Sequence, residues 1–150
     1  LSENESIFYN ILTNKANKSS LTINCDENTF SIEIQDIKTK FKLKDNKIYI
    51  NNKSKTKIID YKCKYDLNKK ETIEKLINLT NNYIEANIND LLKFIKKNDT
   101  DIIGIGNYIY KHKLKSYNKE YLSNINFEVK SNTNITSVGE IKRWKIKMKK

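Results

Sequence analysis

The sequence is poor in the residues that build catalytic and metal sites, since it has one histidine and two cysteines among 150 residues. Cys25 and Cys63 are too few and too widely spaced for a zinc site, which needs four ligands in close pairs. They are expected to be buried free thiols, although a disulfide could form if their two strands were neighbours. The sequence does not identify a serine or cysteine nucleophile that could pair with His112. No catalytic residue, cofactor site or metal site is predicted.

Long apolar runs are also absent. None approaches the roughly 20 residues that a membrane helix requires, and no signal peptide is present. The domain itself is therefore expected to be soluble, and its length fits a single domain over residues 1–150. The sequence begins at Leu1 without an initiator methionine, so we expect it to be a piece of a longer protein.

The third scarcity is arginine. The formal net charge is +11, yet nearly every cation is lysine, with Arg143 the sole arginine. Such a charge is typical of proteins that bind nucleic acid or anionic membranes. Base reading and bidentate phosphate contacts favour arginine, however, which favours a solvated lysine surface here. A lysine-rich nucleic-acid-binding module is kept as the alternative function.

Apolar periodicity predicts a short helix that ends near Asn14 and a first strand over Leu21–Cys25. The next strand starts near Phe30 with its apolar residues on even numbers and continues on odd numbers, which predicts a β-bulge near Gln35 and Asp36. Its later lysines share the face opposite the apolar residues. They either form a basic stripe or protect an exposed sheet surface from aggregation, and we favour protection. These residues are Lys38, Lys40, Lys42 and Lys44.

Further along, the pattern predicts a short strand at Ile48–Ile50, a polar loop over 51–55 and another strand over 57–67, all antiparallel. Asn68 and Glu71 have the spacing of a capping box. A long amphipathic helix then runs to about Asn98 and is predicted to cover the sheet. Its apolar stripe comprises Ile73, Leu76, Ile77, Tyr83, Ile84, Ile88, Leu91, Leu92 and Ile95.

After this helix, Asp101 is predicted to cap a second helix that ends near His112, and a third helix is predicted over 117–125. Gly104 and Gly106 are assigned to close helix packing, because a dinucleotide motif needs a third glycine and a preceding strand. A final strand is predicted to end near Val138. The predicted fold class is α+β: an antiparallel sheet of about four strands packed against one long helix and two or three shorter helices. The candidate interaction surface comprises Lys111, Lys113, Lys115 and Lys119.

The order of these segments resembles a known family. A long helix is followed by Thr100-Asp-Ile-Ile-Gly-Ile-Gly106, then by a lysine-rich stretch with spaced aromatic residues, and then by Phe127-Glu-Val and a strand closing at Val138-Gly139. The opening Leu1-Ser-Glu-Asn-Glu-Ser is also similar to the entry into that domain. The chain thus resembles the C-terminal domain of the Ger(x)C spore germination lipoproteins, the C subunits of nutrient germinant receptors in endospore-forming bacteria. In this resemblance Asp101, Gly104 and Gly106 are structural signature residues.

The resemblance implies a non-enzymatic receptor subunit in nutrient-triggered germination. It implies that this is the C-terminal, third domain of a lipoprotein whose upstream lipid anchor holds it at the outer face of the spore inner membrane. It also implies integral-membrane receptor subunits as partners, with anionic lipid as a further contact of the lysines. No nucleic acid and no cofactor are expected, and the isolated domain is expected to be monomeric.

Overall fold

The computed structural model describes residues 3–45, 47–98 and 125–138. Over these ranges the α+β class is confirmed. In chain order the elements are α1 (Glu3–Leu12), β1 (Ser20–Cys25), β2 (Asn28–Lys44), β3 (Lys47–Tyr61), α2 (Lys70–Lys97) and β4 (Asn126–Val138). The helices predicted over 101–112 and 117–125 lie outside the described residues.

The four strands form one mixed sheet in the order β1-β2-β3-β4. The pairs β1–β2 and β2–β3 are antiparallel, whereas β4 runs parallel to β3, with Lys47 opposite Asn126 and Ile58 opposite Val138. The prediction of an all-antiparallel sheet is therefore wrong for the last strand. Parallel strands need a long crossover connection between them. The chain between β3 and β4 is such a crossover, because it returns to the end of the sheet at which β3 begins.

Strand β2 contains the predicted bulge. Its register with β3 shifts between Ile34 and Asp36, which keeps Ile34 and Ile37 both buried on the same face. A one-residue slip without a bulge would have turned the later apolar residues to solvent. The bulge prediction is confirmed.

Strand β3 is continuous, so the predicted polar loop over 51–55 is wrong. Its polar residues alternate between the two faces: Asn52, Ser54 and Thr56 are buried, whereas Lys53 and Lys55 are exposed. Each residue of this segment pairs with β2 on one side and β4 on the other. Pairing with two neighbours supplies the backbone hydrogen bonds of the segment, so the strand needs no apolar sequence there.

Both helices lie on one face of the sheet, which we call the inner face. Helix α1 is fixed there by Thr39, whose hydroxyl donates to the Ile11 carbonyl (2.7 Å) and whose backbone N–H donates to the Asn14 side chain (2.7 Å). Helix α2 contacts β4, where the Ser131 N–H donates to the Glu85 carboxylate (2.9 Å). The largest fully buried side chains of the resulting core are Phe8, Phe30, Ile11, Leu12, Leu21, Ile32, Ile34, Ile48, Ile50, Ile58 and Leu76.

Helix α2 ends where the sequence predicts, but its N-terminus differs. Its N-cap is Lys69, which makes no side-chain capping hydrogen bond, so the predicted capping box of Asn68 and Glu71 is wrong. The Asn68 N–H donates instead to the Asp66 carboxylate (2.9 Å), which places a turn before the helix and starts it one residue later. Its buried stripe is Thr72, Leu76, Thr80, Ile84, Ile88, Leu91, Leu92 and Ile95.

Cys25 and Cys63 form a disulfide, with their Cα atoms 5.9 Å apart. The prediction of free thiols is therefore wrong. Phe30 on β2 pairs with Tyr61 on β3, and the chain leaving β3 therefore passes the β1–β2 turn, where Cys25 lies. Strand pairing thus joins two cysteines that are 38 residues apart in sequence.

Hydrogen bonds hold the same corner beside the disulfide. The Tyr61 hydroxyl donates to the Tyr65 carbonyl, and the Tyr65 hydroxyl donates to the Asp26 carboxylate. The Lys75 ammonium donates to the Tyr65 hydroxyl (2.6 Å), and this bond raises the pKa of Lys75. The segment after β3 is therefore bound both to the β1–β2 turn and to α2.

The buried Tyr61 gives the fold an alkaline limit. Burial of its ring raises the pKa of the Tyr61 hydroxyl to about 12 from 10.0. Unfolding returns the hydroxyl to its ordinary pKa, so the unfolded chain loses this proton first. The buried Tyr61 hydroxyl therefore contributes fully to the free energy of unfolding below about pH 10, and this contribution is lost towards about pH 12.

We therefore expect the drop in the free energy of unfolding between about pH 9 and about pH 11 to be smaller in Tyr61→Phe than in the wild type. Urea titrations at the two pH values measure this drop in the free energy of unfolding. Tyr49→Phe is the control, because it removes the hydroxyl of a half-buried ring far from this corner and should keep the wild-type drop. Equal drops in all three proteins would contradict the assignment.

Candidate interaction surface

The face of the sheet opposite the helices is dominated by lysine. We call the part over 36–44, 47–55 and 126–134 the lysine face. Its acidic residues are Asp36 and Glu128, whereas the lysines outnumber them by eight to two. These lysines are Lys38, Lys40, Lys42, Lys44, Lys47, Lys53, Lys55 and Lys130.

Strand pairing sets some of these lysines directly against each other. Lys38 lies opposite Lys53, whereas Lys55 lies opposite Asp36. Like charges at directly opposite positions destabilise a sheet. Within the part of the chain that the structure describes, the one ion pair on this face joins Lys47 to Glu128 (3.7 Å). Neither Lys38 nor Lys53 forms an ion pair with a described carboxylate, although Asp36 lines the same groove.

This repulsion predicts that the single substitution Lys38→Glu raises the free energy of unfolding by about 0.5 kcal/mol, because it creates an opposite-charge pair with Lys53. Lys53→Glu should act in the same way. The double variant restores like charges, so its gain should fall short of the sum of the two single gains. Urea unfolding of the four proteins measures this coupling, and strictly additive gains would contradict it.

A groove of 570 Å³ opens on the lysine face across β2, β3 and β4. We call it the lysine groove. Among the described residues, four lysines line it, two from β2 and two from β3, together with the carboxylate of Asp36 and exposed carboxamides from β3 and β4. Ammonium groups donate hydrogen bonds and carry charge, and carboxamides both donate and accept. The groove can therefore bind an anionic group that also carries polar hydrogen-bonding atoms. Its described lining residues are Asp36, Lys38, Lys40, Asn51, Lys53, Ser54, Lys55, Asn132, Thr133 and Asn134.

The sequence located this surface only in part. The row of Lys38, Lys40, Lys42 and Lys44 is exposed on one face, as predicted. Lys53 and Lys55 were assigned to a loop and so were not joined to it, although their alternation with Asn52, Ser54 and Thr56 was a period-two signal. The other candidate surface, Lys111, Lys113, Lys115 and Lys119, lies outside the described residues, as do the signature residues Asp101, Gly104 and Gly106.

The described residues offer neither a metal site nor a membrane-spanning helix. Over 3–45, 47–98 and 125–138, no three histidine, cysteine, aspartate or glutamate side chains come together as metal ligands. In the same ranges, neither helix has the length and hydropathy needed to cross a membrane.

Comparison with solved structures relates this fold to that of a known protein. The structure is similar to the crystal structure of the GerBC protein, with a TM-score of 0.74 and 19% sequence identity. The match covers 91% of this chain and 46% of the GerBC chain, so the chain spans about half the length of the protein it matches. At this identity the similarity shows a common fold. No match was found among curated protein sequences.

A family model gives the relationship at the level of sequence. The model for "Spore germination B3/GerAC like, C-terminal" matches residues 1–139, which is nearly the whole chain. The resemblance found in the order of the sequence segments is thereby confirmed. This chain belongs to the family of spore germination B3/GerAC-like C-terminal domains.

Proposed function

We propose that the chain is the C-terminal domain of a germinant receptor subunit and that it acts by protein-protein contact rather than by catalysis. The observation that carries this proposal is the family match over residues 1–139. The similarity to GerBC, which covers 46% of that chain, supports a longer parent protein. Its partners in this proposal are the integral-membrane subunits of the receptor.

The disulfide bears on where the domain works. Disulfides persist in oxidising compartments and are rare in the reducing cytosol, so the Cys25–Cys63 bond supports a location outside the cytosol. The proposed location is the outer face of the spore inner membrane, reached through a lipid anchor upstream of this chain. The lysine face gives such a domain a surface that is attractive to anionic groups.

The surface chemistry supports binding rather than a reaction. Besides lysines and carboxamides, the described lining of the groove contains Asp36 and the buried residues Ser54 and Thr133. A lysine nucleophile would need a hydrophobic pocket or a neighbouring group that lowers its pKa. The lysine side chains of the groove are exposed to water instead. The lysine groove is therefore assigned to recognition.

The experiment is a deletion of the region encoding this chain from the parent gene, followed by nutrient-triggered germination of the spores. Loss of the nutrient response, with a normal response to a nutrient-independent trigger, is the expected result. A second measurement is crosslinking in spores, which should recover integral-membrane subunits with the tagged parent protein. A normal nutrient response from spores that lack the region would overturn the proposal.

A further inference from the structure

We infer that the lysine groove binds an extended acidic segment of a partner protein. This inference rests on the proposed function for the choice of a protein as the partner. The chemistry rests on the groove alone, where four lysines outnumber the single carboxylate of Asp36 and meet exposed carboxamides on a face that no described helix covers.

The charge arrangement favours carboxylates placed at alternate residues. Lys38 and Lys53 lie directly opposite each other, and such positions are about 5 Å apart, so a single carboxylate can contact both ammonium groups. Because β2 and β3 are antiparallel, Lys40 and Lys55 lie on opposite sides of this pair, each about 6.6 Å along its own strand, with Asn51 opposite Lys40 and Asp36 opposite Lys55. An extended chain repeats its side chains on one face with the same period, so alternating acidic residues match the lysine spacing.

The polar atoms between the lysines suit a polypeptide. The carboxamides of Asn51, Asn132 and Asn134 line the groove and are exposed. Each carboxamide offers donors and an acceptor, which complement the C=O and N–H groups of a peptide backbone. Along β3 the groove extends from Asn51 to Lys55, about 13 Å, which is the length of about four residues of extended chain.

The same face is less suited to a membrane or to nucleic acid. Membrane-surface proteins add apolar side chains to their basic ones, and among the described residues the large exposed apolar side chain is Phe94 on α2, away from this face. Single-stranded nucleic acids use aromatic stacking platforms, and base reading favours arginine. Among the residues that the structure describes, no aromatic side chain and no arginine lines the groove.

The test measures binding of a fluorescent eight-residue peptide of alternating glutamate and serine to the 150-residue chain by fluorescence anisotropy. A glutamine-serine peptide is the neutral probe. The groove variant is Lys38→Gln/Lys40→Gln/Lys53→Gln/Lys55→Gln. The matched control variant removes four exposed lysines elsewhere and has the same net charge: Lys64→Gln/Lys69→Gln/Lys70→Gln/Lys93→Gln. Circular dichroism confirms that both variants are folded.

We expect the glutamate peptide to bind and the glutamine peptide not to bind. The groove variant should weaken binding about tenfold or more, whereas the control variant should change it by about twofold or less. Equal weakening in the two variants would assign the binding to diffuse charge and overturn the inference. No binding of the glutamate peptide would also overturn it.

Two further probes test other occupants. Vesicles of phosphatidylglycerol and phosphatidylcholine, and an eight-nucleotide DNA strand, are titrated under the same conditions at about 50 and 200 mM salt. One of these probes could bind more tightly than the glutamate peptide and lose this binding in the groove variant. That result would identify lipid or nucleic acid, rather than an acidic segment, as the occupant of the groove. These measurements use no spores, so their failure is distinct from a failure of the germination experiment.

Discussion

Replacing Ile84 by alanine is expected to lower the free energy of unfolding by about 2 to 5 kcal/mol. Ile84 has no exposed surface and lies in the middle of α2, where the helix covers the inner face of the sheet. Truncation removes buried methyl and methylene groups and leaves a cavity that a close-packed core fills only in part. Because small domains are marginally stable, this loss is a large fraction of the total.

Urea unfolding followed by circular dichroism at 222 nm measures the loss. Ile77→Ala is the matched control, because Ile77 is on the same helix but only half-buried and should lose clearly less stability. Similar losses in the two variants would mean that the greater burial of Ile84 does not set the effect, and helix propensity would not explain either loss, because alanine favours the helix more than isoleucine does. That outcome would contradict the assignment of Ile84 to the core.

Local sequence patterns predicted the elements whose signals lie within a few residues. The change of apolar phase near Gln35 and Asp36 predicted a bulge that the structure contains. The long apolar stripe predicted α2, which ends at Lys97. Such patterns succeed because burial on one face imposes a period that the sequence must follow.

The parts that the sequence did not predict depend on pairing between distant segments. Strand β4 reads as a strand, but nothing within it records whether its neighbour runs parallel or antiparallel. The segment from Asn51 to Lys55 reads as a loop, because its hydrogen bonds come from β2 and β4. The disulfide depends on the same pairing, since the turn after β1 and the end of β3 meet only when the sheet has formed.

The lysine groove was likewise predicted from sequence only in part. The lysines of β2 were recognised as one row because they alternate within one segment. The groove exists only where Lys53 and Lys55 of β3 and the carboxamides of β4 join that row. The cross-strand opposition of Lys38 and Lys53 is therefore a property of the fold, and it turns a protective row of lysines into a candidate recognition surface.

The disulfide is expected to contribute about 4 kcal/mol to stability. Cys25 and Cys63 close a loop with a sequence separation of 38, and the chain-entropy model gives about this value for such a loop. The variants Cys25→Ala, Cys63→Ala and the double variant should all lose about the same free energy of unfolding, because each removes the one bond. Two separately packed thiols would instead give losses that add in the double variant.

A reductant supplies the matched control for these variants. Tris(2-carboxyethyl)phosphine should lower the urea midpoint of the wild type towards that of the double variant and leave the double variant unchanged. Thiol labelling of the unfolded, unreduced wild type should detect no free cysteine, since both form the bond. Additive losses, together with a wild-type midpoint that is insensitive to reductant, would show that the bond is not formed and would remove the support that it gives to a location outside the cytosol.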